Sequence, residues 1–173
     1  CVVKMVPDIS ELYNITSDGI FKQARAIEFE DILDRDPISL DNNEISSIIK
    51  DKVVLVTGGG GSIGSELCRQ VAKHSPKKLV ILDIYENTTY DTQLELKDRF
   101  PSLNLEVVIA SIRDEQRMDN LFSKVRPNIV LHAAAHKHVP LMENCPGEAI
   151  DNNIIGTYTI ATIASKYEVE KFI

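Results

Sequence analysis

Val53–Gly64 reads VVLVTGGGGSIG, and these residues decide the fold. Val53–Val56 form a short, largely β-branched run of the kind that suits a buried strand. Thr57 and four glycines follow, then Ser62, Ile63 and Gly64. Beyond them Ile63, Leu67 and Val71 recur at helical spacing, with Cys68 and Ala72 beside them. The segment therefore reads strand, glycine turn, helix, the one context in which glycine spacing carries weight. Gly58, Gly61 and Gly64 are spaced G-x-x-G-x-x-G, and Gly59, Gly61 and Gly64 also satisfy G-x-G-x-x-G. Glycine permits the positive φ of a tight turn, and without a Cβ it lets a pyrophosphate approach the backbone. A helix starting near Ser62 and Ile63 would aim its free N–H groups and positive end at that pyrophosphate. A glycine turn without a ligand is the alternative.

Composition sets the limits. With 173 residues there is room for one domain and some extra chain, and a hydrophobic fraction of 43% can supply a core. A net charge of −7 with no Lys/Arg-rich block argues against nucleic acid as a partner. No apolar run approaches bilayer length, and no signal peptide opens the chain. Cys1, Cys68 and Cys145 are few, odd in number and widely spaced, which fits a reduced, cytoplasmic setting better than a disulfide framework. The chain opens at cysteine, not methionine, and is expected to be a piece of something longer.

Residues 1–50 differ from the rest and are read as a helical connector from a preceding domain, packed on the main one. Val2–Val6 suggests a strand ended by Pro7, with no obvious partner nearby. Glu28–Leu33 and Asn43–Lys50 carry short helix-like patterns, the second capped by Asp41 or Asn42 with Ile45, Ile48 and Ile49 on one face. The acidic residues between Glu28 and Asp36 read as a solvated face.

Residues 51–173 are read as the main domain. Leu79–Leu82 forms a second apolar run ending at Asp83, which lies 83 − 64 = 19 positions past the last glycine. An acidic residue about 20 positions on holds the adenosine ribose hydroxyls, and its charge repels a 2′-phosphate. No Arg or Lys stands between Ile84 and Tyr90 to welcome one, so the reading is NAD and not NADP. Tyr90 and Leu94 mark a second helix, running to Phe100-Pro101, and Leu105–Ala110 a third strand. Ser111 and Ile112 then fall at that strand's carboxyl end, on the adenine edge. Met118, Leu121, Phe122 and Val125 give a third helix closed by Pro127, and Ile129–Leu131 a fourth strand.

This alternation predicts an α/β fold: a Rossmann-type, doubly wound parallel sheet with ligands at the carboxyl ends of its strands. The loop from His132 to His138 then lies at the site. Its Ala133, Ala134 and Ala135 would let the nicotinamide half pass close to the backbone. His132, His136 and His138, with Glu143 or Cys145, invite a metal reading. That run starts on a buried strand and crosses a loop the cofactor should occupy, so no metal is expected. Pro146 suits a helix's first turn, with Ile150, Ile154, Thr157 and Ala161 as its inner stripe. Val169–Ile173 opens a fifth strand, where the sheet is cut short.

With these residues in place, the chain resembles the nucleotide-sugar 4,6-dehydratases of the membrane-associated polysaccharide-biosynthesis branch, within the extended short-chain dehydrogenase/reductase family. The similar stretches are Glu30–Pro37 (EDILDRDP), Val54–Gln70 (VLVTGGGGSIGSELCRQ), His132–Asn144 (HAAAHKHVPLMEN) and Asn152–Thr157 (NNIIGT). The resemblance implies NAD and a UDP-linked N-acetylhexosamine as ligands, with Lys137 facing the cofactor and His138 the sugar nucleotide. It also implies a parent protein with a membrane segment and a preceding domain that ends in residues 1–7. That parent would work on the cytoplasmic side of the inner membrane, with a homo-oligomer possible.

The family's Ser/Thr-Asp-Lys segment and its Met or Tyr three residues before a Lys have no match here. Catalytic residues are therefore expected beyond Ile173. Tyr167 and Lys171 do match Tyr-x-x-x-Lys, but they bridge a helix end and a strand start and should not share a face. Two readings besides the dehydratase stay open: a UDP-sugar epimerase of the same superfamily, and a non-catalytic NAD-binding module.

Overall fold

A computed structural model describes residues 42–173, together with the two-residue strands β1 (Lys4–Met5) and β2 (Arg25–Ala26). Backbone contacts divide the chain into two compact units, Cys1–Leu40 and Asp41–Ile173. In the first, β1 and β2 pair antiparallel, Lys4 opposite Ala26 and Met5 opposite Arg25, so the expected N-terminal strand has a partner. The helix-like pattern at Glu28–Leu33 and the EDILDRDP stretch lie outside the described residues.

The second unit runs α1 (Asn42–Ile49), β3 (Val53–Thr57), α2 (Ser62–Lys73), β4 (Lys78–Asp83), α3 (Glu86–Arg99), β5 (Leu105–Ile109), α4 (Glu115–Val125), β6 (Ile129–His132), α5 (Val139–Asn144), α6 (Pro146–Ala149), a π-helical segment (Ile150–Gly156), α7 (Thr157–Lys166) and β7 (Lys171–Phe172). The strands form one sheet in the order β5-β4-β3-β6-β7, every pair parallel. β3 is central, and the chain turns to opposite sides of it to form β4 and β6. That reversal is the topological switch point at which such sheets bind ligands.

Central strands covered on both faces need continuous apolar sequence, and Val54, Leu55 and Val56 are fully buried. Strand alternation splits them. Leu55 joins Val80, Leu82, Met118, Phe122 and Ile160 in a core under α4 and α7. Val54 and Val56 join Cys68, Val71, Leu79, Ile81 and Leu96 in a second core under α2 and α3, with Ile48 and Ile49 of α1 packed against it. Each large side chain buried this way contributes about 1.5–3 kcal/mol. α3 turns Thr89, Thr92 and Leu96 inward, while Tyr90 and Leu94 stay exposed. α4 opens on Asp114, whose Oδ1 accepts from Arg117 N at 3.0 Å, and closes on Arg126 at φ 48°, just before Pro127.

The expected inner stripe of the last long helix needs correction. Ile150 and Ile154 are exposed, and the buried positions are Asn152, Gly156, Ile160, Ile163 and Ala164. Two local facts account for it. The π-helical stretch breaks the 3.6-residue period on which the stripe was counted. In addition, Ile112 packs so close to Gly156 that a Cβ there would sit 2.7 Å from Ile112 Cδ1, leaving no room for isoleucine on that face.

Candidate functional site

The site is assembled at the carboxyl ends of β3, β4, β5 and β6. Gly58, the first residue after β3, has φ 69°, and a Cβ on it would fall 2.6 Å from the Ala133 carbonyl. Only glycine can hold that conformation and let the turn touch the β6 loop. Gly61 differs, for the place of its missing side chain is bordered only by Gly58 O at 3.2 Å, and it lines the cavity. Gly64 is buried against Gly58 and so serves the turn's packing. α2 begins with no side-chain cap, which leaves its opening N–H groups free for an anion.

Asp83 ends β4 and is buried. Its Oδ2 accepts from Gly60 N at 2.8 Å and its Oδ1 from Tyr85 N at 2.9 Å. The carboxylate thus ties the glycine turn to the loop opening α3. Each oxygen keeps a further lone pair for a ligand hydroxyl.

On the other side, Ala133 N donates to Thr57 O at 3.0 Å, which closes the alanine loop onto β3. The π-helical segment holds this loop from outside. Asn152 Nδ2 donates to Ala134 O at 3.4 Å, and Asn153 takes both main-chain groups of His136. His132 is half-buried, hydrogen-bonded through Nδ1 to Thr57 Oγ1 at 2.7 Å and through Nε2 to Thr157 Oγ1 at 2.9 Å, and stacked on Phe172. Burial holds its pKa below the usual histidine value.

These segments enclose a cavity of about 560 Å³, within the range of small-molecule sites. Of the residues expected from sequence, Gly58, Gly61, Ser62, Asp83, Ile112, Ala133, Ala134 and Ala135 line it. Ile63 is exposed outside it, and Ser111 Oγ accepts from Arg113 N within its own loop. Lys137 and His138 come just after the lining, His138 preceding α5. Sequence reasoning missed Tyr85, Glu86, Asn87 and Thr88 at the start of α3, and His136 and Asn152. Asn152 sits in the quoted NNIIGT stretch, a signal that was present without a role. The donor set fits a dinucleotide: an uncapped helix start can take a pyrophosphate, a buried carboxylate can take ribose hydroxyls, and the small alanines leave space for a flat ring.

Comparison with known proteins gives the same direction. The family described as "Polysaccharide biosynthesis protein" matches residues 54–173. The probable polysaccharide biosynthesis protein EpsC of Bacillus subtilis (strain 168) is 44% identical over 99% of this chain and 28% of its own length. A dTDP-glucose 4,6-dehydratase of Salmonella typhimurium is 35% identical over 66% of this chain and 31% of its own. Among solved structures, a UDP-glucose-4-epimerase of Stenotrophomonas maltophila with bound NAD and formylated UDP-arabinopyranose superposes with TM-score 0.63 and 30% identity. That superposition covers 70% of this chain and 35% of the epimerase. The chain spans less than a third of the length of the two curated relatives. The match over residues 54–173 and the switch-point cavity agree, and the chain belongs to the polysaccharide-biosynthesis branch of the nucleotide-sugar dehydratase and epimerase family.

Proposed function

We propose that this chain is the NAD-binding portion of a UDP-N-acetylhexosamine 4,6-dehydratase. The observation that carries the reading is the pairing, in one cavity, of Gly61 at an uncapped helix start with the fixed carboxylate of Asp83. NAD, when bound, supplies a hydride acceptor for the sugar's carbon 4 and later a donor to carbon 6. The chain's own part is to hold and orient. The opening N–H groups of α2 and Ser62 take the pyrophosphate, Asp83 the adenosine ribose, and Ala133–Ala135 the nicotinamide side. Lys137 and His138 extend that wall toward the cofactor and the sugar nucleotide.

In the same proposal, the acid and base that remove water are assigned to sequence following Ile173. Among the described residues no helix is long and apolar enough to cross a membrane. The parent's place at the cytoplasmic face of the inner membrane, and a homo-oligomeric state, belong to the same proposal.

The test incubates UDP-N-acetylglucosamine with this chain and with an extended protein, and follows the sugar nucleotide by mass. Loss of one water with the extended protein only is the expected result. The epimerase structure noted above favours one alternative, in which the extended protein interconverts UDP-sugar epimers with no change of mass. NAD binding by an extended protein that transforms no sugar nucleotide would leave a non-catalytic module.

A further inference from the structure

The dinucleotide reading assigns refusal of a 2′-phosphate to Asp83, yet the structure gives that carboxylate a second duty. Both of its oxygens are already bonded to main-chain N–H groups, Gly60 on one loop and Tyr85 on another. Removing Asp83 therefore unties two loops as well as taking away a charge. The start of α3 offers a second carboxylate with no such duty. Glu86 is three residues on, in the first turn of α3, exposed, lining the same cavity and without a partner among the described residues.

The surroundings are one-sided in charge. Among the described residues no Lys or Arg lines the cavity, and the imidazole that does, His136, belongs to the β6 loop, across β3 from β4. Two cations follow the neighbouring strand β5, neither of them in the cavity lining: Arg113 Nη1 is paired with the Glu148 carboxylate at 2.8 Å, and Arg117 Nη2 is tied to the Ile109 carbonyl at 2.8 Å. Among the described residues that line the cavity, a 2′-phosphate beside Asp83 would meet two carboxylates and no Lys or Arg.

We infer that Glu86 is a specificity-determining residue that, with Asp83, excludes NADP from this cavity. The inference rests on the dinucleotide reading of the site. An ordinary alternative is that Glu86 serves only its helix, since an acid in the first turn interacts favourably with the helix's positive end. That role would alter stability and affect both cofactors alike. Exclusion by charge acts on one cofactor and leaves a mark in the ratio of the two affinities.

The experiment titrates NAD and NADP separately into the full 173-residue chain, as wild type, Glu86→Gln and Glu86→Lys, at low salt and at about 1 M salt. At low salt the ratio of the NADP to the NAD dissociation constant should fall on the order of fivefold in Glu86→Gln, the factor one like-charge contact in water sets. It should fall further in Glu86→Lys. At about 1 M salt, where screening reaches roughly 3 Å, the wild type and Glu86→Gln should converge. A ratio unchanged across all three proteins overturns the inference while the dinucleotide reading stands. A wild type that binds neither cofactor overturns that reading, and this inference with it.

Discussion

Asn153 pairs its side-chain amide with the main chain of His136 as a neighbouring strand would. Oδ1 accepts from His136 N and Nδ2 donates to His136 O, each at 2.8 Å. Past the bond from Ala133 N to Thr57 O the loop leaves the sheet's own hydrogen bonding, so its shape there depends on this side-chain amide and on Asn152 behind Ala134. Asn153→Ala should destabilise the fold by about 1–3 kcal/mol, because it strands two polar main-chain groups. Chemical denaturation measures the loss. NAD affinity should fall with it, whereas Asn153→Gln, which keeps the amide, should recover part of both. Equal stability of wild type and Asn153→Ala would show that water replaces the pairing.

Asp83→Ala is expected to weaken NAD binding by about 1.5–3 kcal/mol, the cost of losing hydrogen bonds to a charged acceptor. NADP affinity should not rise to match that of NAD in the wild type, since the glycine turn loses its tie to Tyr85 at the same time. Calorimetric titration of both cofactors against both proteins decides it. Equal affinity of the wild type for the two would remove the argument for NAD.

Gly61 and Gly58 should respond differently to a side chain. Gly61→Val adds bulk toward the cavity and should abolish NAD binding with the circular dichroism of the sheet intact. Gly58→Val would drive a side chain into the Ala133 carbonyl at positive φ and should unfold the domain or lower its melting temperature sharply. If Gly61→Val unfolds as readily, that glycine is needed by the turn and not by the ligand.

His132 makes stability depend on pH in a defined direction. Burial lowers its folded pKa below the ordinary 6.5, so the unfolded chain takes up the proton first. Its contribution is complete above the unfolded value and is lost as pH falls from there through the folded pKa. The stability of wild type minus that of His132→Gln should therefore shrink between about pH 7.5 and pH 5.5. A difference that stays flat across that interval would mean the imidazole has the same pKa in the folded and the unfolded chain, and one that grows as pH falls would mean it is charged in the folded state.

Much of the fold could be read from the sequence because its signals are local. The apolar runs at Val53–Val56, Leu79–Leu82 and Ile129–Leu131 are each long enough for one buried strand, and glycines, Pro76 and Pro127 punctuate them. The parts that escaped depend on distant neighbours. The inward turn of Asn152 and Gly156, in place of Ile150 and Ile154, follows from Ile112 packing across from another loop. The bond of Asp83 to Gly60 joins residues that no spacing rule relates, unlike its local bond to Tyr85 two positions on. The start of α3 was likewise invisible as a cavity wall, because Tyr85 to Thr88 carry no apolar pattern and gain meaning only once β4 lies beside β3.

Where Gly58 meets the Ala133–Ala134 peptide, the cavity floor is two stretches of main chain in direct contact with no side chain between them. Such a surface has no rotamers to freeze, and its shape is set by the sheet before any ligand arrives. The entropy lost on association at that point falls on the ligand alone. Association should then proceed in a single kinetic phase whose rate rises linearly with ligand concentration, without the plateau that a slow rearrangement of the protein would impose.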